Sequence, residues 1–179
     1  MRGEPKTHYN AARAMVTIAL LAVAAALTGC GFRLSGAAPM QFERLYINVP
    51  AYSSFGAELK RHLASSSKTQ LVDKPEEADV ILQIYNETQE SQILALSAAG
   101  AVRELQFGYI VTFRLHDNAN RDWIVRTDMR LHREMTYDDR TVLAKESEQA
   151  LLYQDMREDA VRQMVRRLSA ARAPAAPTG

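Results

Sequence analysis

The sequence predicts an α+β fold with two layers, in which two helices pack on one face of a four-stranded mixed sheet in the order β-α-β-β-β-α. Two observations carry this prediction. Apolar residues alternate with polar ones in four separate segments, which is typical of half-buried strands. Near the C-terminus, apolar residues instead recur every four positions, which is typical of a helix with one buried face. Elements that are apolar on one side only are all buried when helices cover one face of a sheet.

The first strand and the first helix are predicted near the start of the domain. The apolar side of the strand consists of Leu45, Ile47 and Val49. Pro50 ends this strand because it lacks the N–H group that a sheet needs. Ser53 or Ser54 can cap the helix that follows, and the serine cluster 65–67 closes it. The buried stripe of this helix consists of Phe55, Leu59 and Leu63, and a short extended piece follows around 70–72.

Three further strands are predicted in the middle of the chain. The strand at 79–86 has Val80, Leu82 and Ile84 on one side, and its extended character continues to a loop or hairpin tip at 97–100. The clearest strand has a dry face formed by Phe107, Tyr109, Val111, Phe113 and Leu115. After a turn at 117–120, its hairpin partner points Trp123, Val125, Met129 and Leu131 inward. The β-α-β start predicts that the first two long strands are parallel, with antiparallel hairpins after them.

The last element is the strongest predicted helix. Its apolar residues step by four along one stripe and are Leu152, Met156, Ala160, Met164 and Leu168, joined by Val161 and Val165. Acidic residues lie early and arginines late, which matches the helix dipole. We therefore expect a single α+β domain over 41–169 and a disordered Ala/Pro-rich tail at 170–179.

The N-terminus has the layout of a secretory signal peptide. A basic start and an apolar run of 13 residues, Met15–Leu27, precede the only cysteine, Cys30. The run is too short to span a hydrocarbon core, which needs about 20 residues. The segment Leu27-Thr28-Gly29-Cys30 resembles the lipobox of bacterial lipoproteins. This resemblance implies that residues 1–29 are removed and that Cys30 carries an N-acyl group and an S-diacylglycerol. An ordinary signal peptide with an incidental cysteine is the alternative.

The residues behind the cysteine indicate the compartment. Residues 30–40 form an acylated tether, and Gly31, where an Asp favours inner-membrane retention in enterobacterial lipoproteins, favours the outer membrane. Without residues 1–29 the chain has 19 basic and 20 acidic residues, a formal charge of −1. This charge gives no reason to expect nucleic acid as a partner.

The sequence predicts no catalytic residues, no metal site and no cofactor apart from the lipid. His62, His116 and His132 lack a second ligand three or four residues away, and the glycines are too scattered for a phosphate-binding loop. The serine clusters lack a Gly-x-Ser-x-Gly context. The adjacent acids Asp138 and Asp139 are more typical of a solvated turn than of a catalytic pair. We therefore expect a binding protein rather than an enzyme.

The charged outer face of the predicted hairpin has two interpretations. Its basic residues are Arg114, Arg126, Arg130 and Arg133. They could form a basic surface, since cross-strand neighbours lie about 5 Å apart. Alternatively the face is simply solvated, with Asp128 and Glu134 as partial partners. An outer-membrane location gives weight to the basic surface, because arginine binds the phosphates of lipopolysaccharide through paired hydrogen bonds.

Three stretches resemble the lipopolysaccharide-assembly lipoprotein family, LptE. They are Cys30-Gly31-Phe32-Arg33-Leu34-Ser35-Gly36; Arg103-Glu104-Leu105-Gln106 before the alternating strand; and Val142-Leu143-Ala144-Lys145-Glu146-x-Glu148-Gln149 at the start of the last helix. The resemblance covers 30–168. It implies an α+β lipoprotein that plugs the LptD β-barrel of the outer membrane, helps that barrel assemble, and takes part in lipopolysaccharide delivery to the outer leaflet. It also implies that the protein is not an enzyme.

The same resemblance implies two lipopolysaccharide contacts. Lys145 matches through the Leu-Ala-Lys motif, and Arg103 matches beside the 97–100 tip. Alternatively, Lys145 only solvates the first helical turn, and Arg103 is an ordinary charge at the start of a strand. Three other functions remain as alternatives: an auxiliary lipoprotein subunit of a periplasmic phospholipid-transport complex, a lipid-anchored hydrolase, and an anchor to peptidoglycan.

Overall fold

The computed structural model describes residues 39–136 and 142–175 of the chain. Its elements are β1 (Arg44–Asn48), α1 (Ser54–Ser66), β2 (Gln70–Val72), a 3₁₀ turn (Pro75–Glu77), β3 (Val80–Leu96), β4 (Val102–Asp117), β5 (Asp122–Thr136) and α2 (Val142–Ala170). The strands form one sheet in the order β2-β1-β3-β4-β5. β1 is parallel to β2 and β3, whereas β4 is antiparallel to β3 and β5. The predicted α+β fold with parallel first strands is confirmed.

The sheet has five strands in the described residues rather than the predicted four. The additional strand, β2, is the short extended piece after α1, and Gln70 begins it by donating its backbone N–H to the carbonyl of Glu43 at 2.7 Å. Three residues are too few to show an alternating pattern. The strand exists because the outer edge of β1 offers a parallel partner, which is a tertiary effect.

One hydrophobic core joins the sheet to both helices. The alternating residues of β4 that were predicted to be inward are at most 1% exposed. The residues of α1 and α2 that pack against them include Phe55, Leu59, Leu63, Met156, Ala160, Met164 and Leu168, none of which has exposed surface. The predicted helical stripes are therefore the packing faces of the two helices.

The start of α1 is fixed by a cap and by a close contact. Ser53, rather than Ser54, is the N-cap, and its Oγ accepts the backbone N–H of Gly56 at 2.9 Å. A Cβ at Gly56 would lie 2.6 Å from Cγ1 of Val49, so the absence of a side chain lets α1 pack against the end of β1.

The inward prediction for Val125 is wrong. Phe113 pairs with Thr127 and Leu115 pairs with Ile124, so β5 has one more residue than β4 between these pairs. This bulge reverses the alternation. Ile124 packs against the core, and Val125 is 64% exposed.

The chain enters the domain at the end that carries the β4–β5 turn. The ring of Phe42 meets Trp123 edge to face, with ring centroids 5.8 Å apart. Phe42 is 5% exposed and belongs to the core. At the C-terminal end of the domain, α2 stops at Ala170, and Ala171 is also buried.

Candidate functional site

Two contacts fix the direction of α2 along the sheet. The ring of Tyr153 meets Phe107 edge to face with centroids 5.5 Å apart, and the guanidinium of Arg167 lies 5.7 Å from the ring centroid of Phe113. Phe107 precedes Phe113 on β4 as Tyr153 precedes Arg167 on α2. The two elements therefore run in the same direction.

This direction brings the two predicted contact residues to one end of the domain. Lys145 lies about 12 Å before Tyr153 along the helix, and Arg103 lies about 13 Å before Phe107 along the strand. Both residues are therefore at the end that carries the β3–β4 turn at 97–101. We refer to this end as the hairpin end.

Lys145 is already held by an acidic neighbour. Its Nζ donates to Oε2 of Glu148 at 2.7 Å, one helical turn further on. The lysine side chain is 20% exposed, whereas that of Glu148 is 52% exposed. A phosphate that reached this lysine would have to compete with the glutamate.

Arg103 is more accessible. It is exposed and makes no ion pair within residues 39–136 and 142–175. On β3 and β4, Ala95 pairs with Glu104 and Leu96 pairs with Val102, so Arg103 is the extra residue of a bulge. Bulges change the direction of side chains. Arg103 therefore has no directly opposite residue on β3, and its side chain does not follow the regular alternation of β4.

A polar cluster lies between the sheet and the start of α1. Glu87 accepts hydrogen bonds from Ser53 Oγ at 2.5 Å and from the Tyr109 hydroxyl at 2.6 Å. Burial raises the pKa of Tyr109 far above its usual value, and the hydrogen bond to Glu87 raises it further. Tyr109 is thus a permanent donor. The cluster supports the wall of an open cavity of about 380 Å³, which is also lined by Tyr52 and Tyr85.

A second, wider depression of about 570 Å³ lies between β3 and α2. Gln89, Glu146 and Tyr153 are among its lining residues. The Tyr153 hydroxyl donates to the carbonyl of Glu90 at 2.8 Å, which ties α2 to β3. These contacts fix the helix in place.

Three arginines on the outer face of the sheet have partners. Nε of Arg114 donates to Oδ1 of Asp122 at 2.5 Å, and Nη2 of Arg130 donates to Oδ2 of Asp128 at 2.6 Å. The guanidinium of Arg126 lies 4.4 Å from the centroid of the Tyr85 ring. These contacts favour the solvated-face interpretation.

Arg133 does not share that face, contrary to the prediction. Its guanidinium forms an ion pair with Asp159 on α2, so the side chain faces the helices. A hydrogen bond from Arg162, together with the charges of Arg162 and Arg133, holds the pKa of Asp159 below its usual value. Arg133 therefore helps to hold α2 against β5.

The part of the chain that the structure describes contains no group of three histidine, cysteine or acidic residues able to hold a metal ion. Neither of its two α-helices is long and apolar enough to cross a membrane. Cys30, Asp138 and Asp139 lie outside the described residues.

Sequence reasoning missed two features, one in the wall of the first cavity and one at the hairpin end. It did not single out Glu87 and Tyr109 as a hydrogen-bonded pair, because the two residues are 22 positions apart on different strands. It also missed the exposed aliphatic residues of the β3–β4 hairpin. The sequence did contain an indication of this apolar segment, since no charged residue occurs between Glu90 and Arg103.

Comparison with known proteins agrees with the observed fold and finds a matching family. Residues 42–168 match the family described as LptE, Lipopolysaccharide-assembly. The LPS-assembly lipoprotein LptE of Yersinia enterocolitica is 27% identical over 161 residues, covering 87% of this chain and 76% of the relative. An uncharacterized lipoprotein B from Nitrosomonas europaea, solved by NMR, is 38% identical with a TM-score of 0.68, covering 78% of this chain and 91% of that one. The rare lipoprotein B from Shewanella oneidensis has the same fold at 22% identity, with a TM-score of 0.63 and coverage of 71% and 94%.

Proposed function

The chain belongs to the LptE family of lipopolysaccharide-assembly lipoproteins, and from this membership we propose that it plugs and helps assemble the LptD β-barrel and contacts lipopolysaccharide directly. Its role in the cell envelope is lipopolysaccharide assembly, which is a non-enzymatic role without a cofactor. Family membership favours this role over the alternatives of phospholipid transport, hydrolysis and peptidoglycan anchoring. The observation that carries the proposal is the family match over essentially the whole folded domain.

The anchor is part of the proposal. Acylation of Cys30 holds the domain at the outer membrane, because each buried lipid methylene contributes about 0.8 kcal/mol and several chains act together. Labelling cells with radioactive palmitate should mark the wild-type chain but not Cys30→Ser. Labelling of Cys30→Ser at the wild-type level would refute the assignment of this cysteine.

The barrel partner is tested by affinity purification from membranes. A tagged full chain should recover a large β-barrel protein in about a 1:1 ratio. The ion pairs of Arg114 with Asp122 and of Arg130 with Asp128 on the outer face of the sheet suit a polar barrel interior, because a charge that keeps its partner is less costly to remove from water than an unpaired one. Recovery of the lipoprotein alone, under conditions that preserve other outer-membrane complexes, would contradict the plug role.

Direct lipopolysaccharide contact is proposed for Lys145 and Arg103. Lys145→Glu and Arg103→Glu should each weaken lipopolysaccharide capture by the purified full chain, and the double variant should weaken it further. Lys68→Glu is the matched control, because Lys68 is exposed and lies beside β2, far from the hairpin end. Unchanged capture by the double variant would refute the assignment of both residues.

The Lys145–Glu148 ion pair allows a test in the opposite direction. Glu148→Gln removes the acidic competitor while it leaves the lysine in place. We expect this variant to capture lipopolysaccharide more tightly than the wild type, by a fewfold, since exposed ion pairs are worth about 0–1 kcal/mol. Weaker capture would indicate that Lys145 serves the helix rather than the ligand.

A further inference from the structure

The β3–β4 hairpin ends in an aliphatic segment that the proposed phosphate contacts do not use. Residues 91–102, here called the outer hairpin, contain no charged side chain. Ile93, Leu94 and Leu96 are 56%, 45% and 57% exposed. The structure describes seven large hydrophobic residues that are exposed, and three of them lie within these few positions. Such a cluster of exposed apolar residues is typical of a binding surface.

The outer hairpin is an ordered element rather than a loose loop. Leu96 pairs with Val102, and the turn is closed by the Ser97 N–H, which donates to the carbonyl of Ala101 at 2.7 Å. The Gly100 N–H donates to the carbonyl of Ser97 at 2.9 Å, and Gly100 has the positive φ of 80° that glycine tolerates. The aliphatic side chains are therefore presented on a fixed backbone.

A positive charge borders this aliphatic surface. Arg103 follows the segment directly and is exposed on a bulge, and Lys145 lies at the same end of the domain. A partner that contacts both the aliphatic surface and the positive charge must carry aliphatic chains and a negative group close together. Anionic glycolipids and anionic phospholipids both have this chemistry.

The unpaired edge of β3 favours binding of a single lipid molecule over insertion of the hairpin into a bilayer. β1 pairs with β3 only as far as Gln83, so among the described residues the outer part of β3 has no partner strand on that side. Immersion in a hydrocarbon layer would leave backbone groups on this edge without hydrogen bonds, which is costly. Acyl chains lying against one side of the hairpin would leave the edge in contact with water.

We infer that the outer hairpin binds the acyl chains of a lipopolysaccharide molecule, while Arg103 at its base contacts a phosphate of the same molecule. This inference rests on the proposed lipopolysaccharide contact and adds a second, apolar part to it. The hairpin covers acyl chains that would otherwise be exposed to water.

The inference is tested in cells by photocrosslinking of the full chain. A benzophenone amino acid at position 94 or 96 should give an adduct that antibodies to lipopolysaccharide detect after irradiation. Position 125 is the matched control, because Val125 is at least as exposed as Leu94 and Leu96 but lies at the other end of the domain. Equal adducts at all three positions, or none at positions 94 and 96 when position 103 gives one, would overturn the inference.

A second measurement separates acyl chains from phosphates. The purified full chain in amphipol is offered intact lipopolysaccharide, lipopolysaccharide with its acyl chains removed by hydrolysis, or nanodiscs of phosphatidylethanolamine and phosphatidylglycerol. Wild type should bind the intact form at least about tenfold more tightly than the deacylated form, which corresponds to about 1.4 kcal/mol. The double variant Leu94→Gln, Leu96→Gln should lose this preference, and Val125→Gln should keep it.

Each outcome has one meaning. If the double variant keeps the preference for acylated lipopolysaccharide, the inference about the hairpin is wrong while the proposed function stands. If it loses binding to the nanodiscs to the same extent, the surface recognises bilayers and the inference is again wrong. If wild type binds neither form of lipopolysaccharide, the proposed direct contact fails first. The melting temperature of the double variant should match that of Val125→Gln, since all three side chains are exposed.

Discussion

Replacing Asp79 by asparagine should show how the parallel part of the sheet is held. Oδ2 of Asp79 accepts the backbone N–H groups of Glu43 and Arg44 at 3.0 and 2.9 Å. Oδ1 accepts Nε and Nη2 of Arg44 at 3.2 and 2.8 Å. One carboxylate just before β3 therefore holds the first residues of β1 in register.

The expected cost follows from these four contacts. A hydrogen bond to a charged group contributes about 1.5–3 kcal/mol, and the exposed ion pair with Arg44 contributes at most about 1 kcal/mol. Asparagine keeps one acceptor oxygen but loses the charge, so Asp79→Asn should reduce the free energy of unfolding by about 2 kcal/mol. For a domain of this size that is a fall in melting temperature of roughly 5–8 °C. Asp73→Asn, an exposed residue of the same connection, should change stability by less than about 0.5 kcal/mol.

The same contact predicts a dependence on pH. Burial raises the pKa of Asp79, but the hydrogen bonds from Arg44 and the backbone outweigh burial and hold the pKa below the model-peptide value of 3.8. A carboxyl whose pKa is lowered by folding stabilises the protein above its unfolded-state pKa and loses that effect as the pH falls through the folded-state pKa. Urea unfolding should therefore find Asp79→Asn less stable than both the wild type and Asp73→Asn at pH 7, and this difference should disappear as the pH falls well below 3.8. An Asp79→Asn variant as stable as Asp73→Asn at pH 7 would refute the reasoning.

Three further predictions concern the core and the bulge. Tyr109→Phe should lower the free energy of unfolding, measured by urea titration, by about 1–2 kcal/mol, because Glu87 loses the hydrogen bond that the buried tyrosine donates. Tyr46→Phe is the control: its hydroxyl has no hydrogen bond in the described structure, so its removal should leave the free energy of unfolding almost unchanged. Val125→Lys should fold normally while Met129→Lys should fail to give a cooperative thermal transition, and equal damage by both would mean that the β5 bulge is absent. Met164→Ala should cost about 2–5 kcal/mol through the cavity it leaves between α2 and the sheet, and a calorimetric loss below 1 kcal/mol would contradict the packing of α2.

Patterns with a fixed period were predictable from the sequence, and changes of period were not. The inward face of β4 and the stripe of α2 follow from spacings of two and four residues. The face of β4 is buried along its length, and the stripe of α2 is buried except for Leu152 and Val165, which are partly buried. The extra residue on β5 could not be recognised in the sequence, because this bulge is formed by ordinary residues and not by glycine. The inward prediction for Val125 was wrong for this reason.

For the candidate site, the sequence predicted which residues to consider but not all of the contacts that they make. The resemblance pointed to Arg103 and Lys145, and the chain direction brings them to the same end. The ion pair of Lys145 with Glu148 follows from their spacing on a helix and could have been expected. The ion pair of Arg133 with Asp159 depends on which face of β5 meets α2, and this is decided by packing of distant segments.

The position at which the chain enters the domain gives the molecule a polarity along its length. Phe42 and Trp123 lie at one end of the domain, and the Ser97–Ala101 turn lies at the other end. The 16 residues of β4 separate these ends by about 50 Å, which exceeds the roughly 30 Å hydrocarbon thickness of a bilayer. The length of β4 therefore sets the distance between the Phe42–Trp123 contact and the outer hairpin. Shortening the β3–β4 hairpin by two residues on each strand would bring the outer hairpin about 7 Å closer to the Phe42–Trp123 contact.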